Sequence, residues 1–135
     1  MDIQQYIDES IADDLDNLEK VYLSRDVSPK GNFWIASRPN DPEVLGMVGL
    51  QYLNDKECEL RRMSVSPKAR RMKVGSRLLL QLLSFAKEQG YEKVLLSTGS
   101  IMHAGRKLYE KHGFQKTKEE LVAPNVLITF YEKIL

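Results

Sequence analysis

MSVSPKARRMKVGSRLLLQLLSFAKEQG, residues 63–90, divides into three pieces of different character. Alternating apolar residues lead to a Ser66-Pro67 break, a basic loop follows, and Gly75-Ser76 then opens a run with Leu78, Leu79, Leu82, Leu83 and Ala86 at helical spacing. The pattern predicts strand, loop, helix. The start of a helix leaves about four backbone N–H groups unpaired and carries the positive end of the helix dipole. A loop that brings Arg70, Arg71 and Lys73 to that point makes an anion cradle, and the anion it suits is a phosphate. The nucleotide loop GxxxxGK[ST] and the dinucleotide fingerprint GxGxxG are both absent.

Residues 57–65 alternate, which predicts a strand with Glu59, Arg61, Met63 and Val65 on one face and Cys58, Leu60, Arg62 and Ser64 on the other. Residues 33–37 and 44–53 read as earlier strands, with Gly46 and Gly49 marking a bulge or a close backbone approach. Residues 13–23 carry acids in the first turn and Leu15, Leu18 and Tyr22 at helical spacing, which predicts a short amphipathic helix after a loose segment 1–12. Downstream, Gly90 is placed to cap the long helix, and residues 93–98 form an apolar strand reached by a parallel crossover. A second helix spans 102–112 and stops at Gly113; strands 114–119 and 126–132 follow, joined by an irregular link at 121–125. The fold class is α/β with a mixed sheet.

The composition bounds the function. With 135 residues, 42% of them apolar, and no repeat or linker, one domain is expected over 1–135. Cys58 is the one cysteine, which excludes an internal disulfide framework and a thiolate zinc site, and no metal is expected. Apolar runs such as Val94-Leu95-Leu96 are far short of the roughly 20 residues that cross a bilayer, so the chain as given reads as soluble. Net charge is only +1, yet residues 1–19 hold seven acids and no base while residues 60–87 hold eight bases and no acid, which concentrates a positive field at the cradle. Bases at a helix N-terminus oppose the dipole unless an anion is bound. That segment lacks interleaved aromatics and any nucleic-acid motif, so no nucleic-acid partner is expected.

Arg70-Arg71-Met72-Lys73-Val74-Gly75 resembles the [Q/R]-x-x-G-x-[G/A] loop of the GNAT superfamily of acyl-CoA N-acyltransferases, and Leu108-Tyr109-Glu110-Lys111-His112-Gly113-Phe114 looks like its second signature, LYxxxGF. Val21-Tyr22-Leu23, residues 32–36 and residues 45–49 are similar to the camello-like N-acetyltransferases within it, and the resemblance covers roughly residues 14–135. It implies the GNAT fold, here without its first strand and helix, and acetyl-CoA as cosubstrate. The pyrophosphate would be held by Arg70, Arg71, Met72, Lys73, Val74, Gly75 and Ser76, and the pantetheine would pair along Met63 and Val65 between splayed strands. Camello-like relatives carry a hydrophobic membrane segment near the N-terminus, so the resemblance implies a truncated or a naturally shortened form. It would be membrane-associated in the first case and cytoplasmic in the second. A sheet edge left bare by the missing elements would be covered by residues 1–23 or by a second copy in a homodimer.

The implied reaction moves an acetyl group to a primary amine, either the α-amine of a cysteine S-conjugate or a protein amine, by direct attack in a ternary complex. A lysine-like amine has a pKa of about 10.4, so at pH 7 roughly one molecule in a thousand is nucleophilic and a base is useful. Glu59 matches the position of a catalytic glutamate in several GNAT enzymes and is the candidate base. Tyr109, at the family's tyrosine, is the candidate acid for the departing thiolate. His103 near a helix start could face the site, His112 suits its helix C-terminus as a partly charged ring, and Cys58 reads as a small core residue. Lys73 stands where the loop has its first glycine, and Met102 replaces an asparagine common seven residues before the tyrosine. These two departures leave a non-catalytic acyl-CoA-binding module as the alternative.

Overall fold

The computed structural model describes residues 2–5, as backbone, and residues 19–135. One sheet is formed by β1 (Asp2–Gln5), β2 (Asn32–Ser37), β3 (Val44–Tyr52), β4 (Glu57–Val65), β5 (Lys93–Gly99), β6 (Gln115–Ala123) and β7 (Val126–Ile134), with apolar and β-branched residues concentrated in its inner strands and mostly polar ones in β1 and β6 at its edges. Its order is β1-β2-β3-β4-β5-β7-β6. Each neighbouring pair is antiparallel except β4 and β5, which run parallel. Parallel neighbours need a crossover, supplied by helix α1 (Val74–Gln89). Helix α2 (His103–Lys111) joins β5 to β6. No described helix is long and apolar enough to cross a membrane.

α1 lies across β2, β3 and β4 and buries Val74, Leu78, Leu79, Leu82 and Ala86. It ends as its sequence predicts: Gly90 takes a left-handed φ of 91° and its N–H reaches the carbonyls of Ala86 and Lys87. Leu45, Val48, Leu50, Cys58, Leu60, Val94, Leu96, Tyr109, Phe114 and Tyr131 complete the core beneath the helices. On the other face, Tyr22, from a π-helical turn at Glu19–Leu23, packs on Phe33 with ring centroids 5.3 Å apart. Gly46 and Gly49 permit both contacts. A Cβ on Gly46 would stand 2.8 Å from Val74 and 2.9 Å from the Ser64 carbonyl, and one on Gly49 would stand 2.7 Å from the Tyr22 ring.

Three expectations change. β1 pairs with β2 in the register Asp2↔Ser37 to Gln5↔Trp34, so an edge strand occupies part of the segment read as loose, and a first strand is present in the sheet. Positions 6–18 lie outside the described residues, and with them the rest of segment 1–12, the first two turns of the helix expected at 13–23 and the question of a missing first helix. The link at 121–125 is shorter than expected: β6 continues to Ala123, which pairs with Val126 across a two-residue turn. Pro124 fixes φ there, and Asn125 takes the left-handed conformation (φ 63°) that asparagine tolerates.

Candidate active site

The parallel pair β4–β5 is joined only over Glu57↔Lys93, Cys58↔Val94 and Glu59↔Leu95. Beyond that point β4 stays with β3 as far as Val65, and β5 stays with β7 as far as Gly99. The two strands therefore split, and their facing backbone edges lack the ladder that a parallel pair would make. A bulge accompanies the split. Between Met47↔Ser64 and Gly49↔Arg61, the single residue Val48 faces Arg62 and Met63, and Arg62 takes a φ of 57°. An extra residue in a strand bends it and reverses the parity of the residues beyond it.

That reversal corrects the strict alternation expected for β4. Met63 and Val65 pack on the core with Cys58 and Leu60, and Val65 lies 3.5 Å from where a Cβ of Gly75 would stand. Glu59 and Arg61 keep to the other face, where an Arg61 N–H donates to Gln51 (2.9 Å) and Arg61 Nε lies 3.4 Å from the Glu59 carboxylate. Backbone contacts from Met63 and Val65 into the split do not depend on which face their side chains take.

At the open end of the split, Ser66 caps a 3-10 turn at Pro67–Ala69, and α1 begins after Lys73. Lys73 is the N-cap residue with φ 57° and ψ 32°, the left-handed conformation that glycine adopts at little cost. The helix has neither a side-chain cap nor an acid in its first turn. Its N-terminus is therefore electrically unanswered by the described chain while Arg70, Arg71 and Lys73 stand exposed around it. Gly75 keeps the first turn close to α2, because a Cβ there would meet Leu108 at 3.1 Å. Val74 is buried and anchors the turn, and Met72 accepts an N–H from Arg38 at its sulfur (3.8 Å). Ser76 Oγ lies 3.2 Å from His112 Nε2.

Tyr109 and Glu59 stand at the closed end. Tyr109 is 6% exposed and its ring contacts Phe114 (5.8 Å between centroids) and Tyr131 (6.3 Å). Tyr131 is the register partner of Leu96, the first β5 residue beyond the parallel pairing. The Tyr109 hydroxyl bonds to no described residue, and among the described residues no buried polar side-chain atom lacks a partner, so it lies at an accessible tip. Burial pushes this phenol up to about 12. Glu59 is the last β4 residue in the parallel pairing, and with Leu95, Ser97, Phe130 and Lys118 it lines a hollow of about 280 Å³ on the face away from α1. Acid and base candidates thus sit at one level of the split on opposite faces of the sheet.

His112 departs from its expected partly charged state. Burial first, then the nearby charges of Lys111 and Lys133, push its pKa below the usual value and favour the neutral ring. His103 is an exposed residue in the first turn of α2, and Met102 at that N-cap gives no side-chain cap. Cys58 is fully buried, donates weakly to the Lys93 carbonyl at 3.6 Å, and is pushed up to about 12 by burial, which fits a core residue and not a nucleophile. Among the described residues no cluster of three His, Cys, Asp or Glu could hold a metal. Sequence reasoning missed Gln51, Lys118 and a network of Arg106, Glu110 and Tyr131, because only folding brings these distant positions together.

Comparison with known proteins agrees with this geometry. The profile of the Acetyltransferase (GNAT) family matches residues 3–114. The chain is 34% identical over 119 residues to human N-acetyltransferase 8, covering 84% of this chain and 50% of that protein. It is 34% identical over 111 residues to "Probable N-acetyltransferase camello" of Xenopus tropicalis, covering 81% and 48%. The chain thus spans about half the length of the curated relatives it matches. A crystal structure of a GNAT-family acetyltransferase from Staphylococcus aureus Mu50 superimposes with a TM-score of 0.75 at 28% identity, covering 95% of this chain and 80% of that one. With its strands split beside an uncapped helix start and its sequence matched over most of its length, the chain belongs to the GNAT family of acetyltransferases and is similar to the camello-like N-acetyltransferases within it.

Proposed function

We propose that this chain is an acetyl-CoA-dependent N-acetyltransferase acting by direct attack of a primary amine on the bound thioester. The observation that carries the reading is the placement of Glu59 and Tyr109 on opposite faces at the closed end of the β4–β5 split. The split offers unpaired strand edges to the pantetheine amides, with Met63 and Val65 contributing from β4. Arg70, Arg71, Met72, Lys73, Val74, Gly75 and Ser76 offer the pyrophosphate a helix N-terminus and three cations.

In the reaction the amine nitrogen forms a bond to the thioester carbon and the carbon–sulfur bond breaks. Glu59, directly or through water, takes the proton that the ammonium must lose, and Tyr109 donates a hydrogen bond to sulfur as negative charge gathers there. The net result is an amide, a thiol and one proton released to water: nitrogen loses two protons, the first passing through Glu59 to solvent before attack and the second, shed once nitrogen has bonded to carbon, ending on sulfur. Because Tyr109 is a weaker acid than a thiol, it steadies the developing thiolate and remains protonated across neutral pH.

The acceptor class is a cysteine S-conjugate α-amine or a protein amine. The hollow beside Glu59 favours the first: Leu95 and Phe130 give a wall for an S-substituent, and Lys118 at its edge, 4.7 Å over the Phe130 ring and 3.5 Å from the Glu120 carboxylate, is a cation that a substrate carboxylate would take over from Glu120.

Calorimetric titration of acetyl-CoA into cofactor-free protein tests the cradle, repeated with Arg71→Glu and Lys73→Glu. Micromolar binding weakened by both reversals is expected, followed by thiol release when S-benzyl-cysteine is added. Binding without release from any amine would leave the acyl-CoA-binding module as the function. No binding by folded protein would withdraw the enzyme reading for this chain.

A further inference from the structure

Among the described residues Tyr109 has no hydrogen bond to fix its hydroxyl, and it relies on ring contacts and on the pose of α2. That helix has nine residues and no side-chain N-cap, too short to hold its shape without tertiary fastening. The fastening runs through Tyr131 on β7. Arg106 Nε donates to the Tyr131 hydroxyl at 3.1 Å, and that hydroxyl donates to Glu110 Oε1 at 3.0 Å. Arg106 Nη1 donates to the Ser100 carbonyl at 2.9 Å, and the Ser100 and Thr129 hydroxyls meet at 2.6 Å. Arg106 and Glu110 are one helical turn apart and straddle Tyr109 in sequence, so one buried phenol ties both sides of the turn that presents it.

We infer that Tyr131, held between Arg106 and Glu110, is a positioning residue for acyl transfer, fixing the turn of α2 that aims the Tyr109 phenol at the thioester sulfur. This inference rests on the reading of Tyr109 as the group that meets that sulfur. The network also divides the work between two adjacent tyrosines. Tyr131 has committed its only proton to Glu110 and cannot offer it to a substrate, whereas the Tyr109 proton has no competing acceptor in the described chain. A displacement of about 1 Å at a reacting group can cost a hundredfold in rate, so a loosened turn acts on turnover while leaving the phosphate cradle intact.

The test measures thiol release with S-benzyl-cysteine, with benzylamine and with a lysine-bearing peptide for Tyr109→Phe, Tyr131→Phe and the double variant. Tyr131→Phe keeps the ring and loses the clamp; kcat is expected to fall about tenfold or more, with KM for acetyl-CoA within about twofold of wild type. The double variant is expected to be no slower than Tyr109→Phe alone, since a misaimed group that is already absent costs nothing further. Glu110 is exposed, so its variants are expected to fold even if Tyr131→Phe does not. Glu110→Ala should reproduce the loss, and Glu110→Gln, which keeps an acceptor oxygen, should recover most of it. A drop in Tyr109→Phe without one in Tyr131→Phe or Glu110→Ala overturns the clamp and leaves the acid intact. Unchanged turnover in Tyr109→Phe, or no release by wild type with S-benzyl-cysteine, benzylamine or a lysine-bearing peptide, overturns the acid reading and the clamp with it.

Discussion

His112 Nε2 lies 3.2 Å from Ser76 Oγ, which joins the last turn around α2 to the first turn of α1 across 36 positions of sequence. Because the ring is held below its usual pKa, the unfolded chain binds a proton at a higher pH than the folded one. Stability is therefore expected to fall as pH drops below about 6.5, and His112→Gln to flatten that fall. Denaturant midpoints at about pH 7 and about pH 5 check this. An equal loss in both proteins would assign the acid limb to other groups.

Lys73 holds a left-handed backbone at the start of α1. Lys73→Gly removes the Cβ strain, part of which is offset by the greater freedom of glycine in the unfolded chain, for a net gain of up to about 1 kcal/mol. It also removes one of the cations proposed for the pyrophosphate. A raised unfolding midpoint together with weaker acetyl-CoA binding is the expected pair of results, and unchanged binding would take Lys73 out of the cradle.

Glu59 is expected to matter most where the amine is least often free. Glu59→Gln should lower kcat by about a hundredfold near pH 7, with the deficit narrowing toward about pH 9 as more acceptor is already deprotonated. A deficit constant with pH would point to a binding role shared with Arg61, its ion-pair partner at 3.4 Å.

Cys58 and Tyr109 both hold their protons to about pH 12 in the folded chain, against ordinary values of 9.0 and 10.0. Below pH 9 neither group makes stability depend on pH. Above it the unfolded chain releases first the thiol proton and then the phenol proton while the folded chain keeps both. Stability should therefore fall between about pH 9 and 12, by a few kcal/mol in all. Cys58→Ala should delay the onset by about one pH unit, which denaturation in an alkaline buffer series would show.

Gly46→Ala should destabilise the fold by roughly 1–3 kcal/mol, since its Cβ meets the Ser64 backbone carbonyl as well as Val74 and backbone yields little. Urea denaturation measures this, and Gly90→Ala gives a contrast in which only the left-handed φ is at issue, with no atom within 4 Å.

Periodicity and punctuation set most of the architecture. Leucines three and four apart forced α1, Gly90 and Gly113 stopped the helices, and the alternation before Ser66 made β4, because these preferences act within a few residues and are written locally. The basic loop at the helix start, the Tyr109 motif and the glycines of β3 were legible for the same reason. The remaining features depend on neighbours that lie far apart along the chain and meet only in the fold. The bulge at Arg62 is set by pairing with β3, and it moved Met63 and Val65 to the core face while leaving Glu59 on the other. The lowered pKa of His112 reflects burial and a lysine from β7, and the Arg106–Tyr131–Glu110 clamp closes across 25 positions. The left-handed backbone under Lys73 overrides local preference because the loop must turn into α1, and long-range packing outweighs the modest strain of one residue.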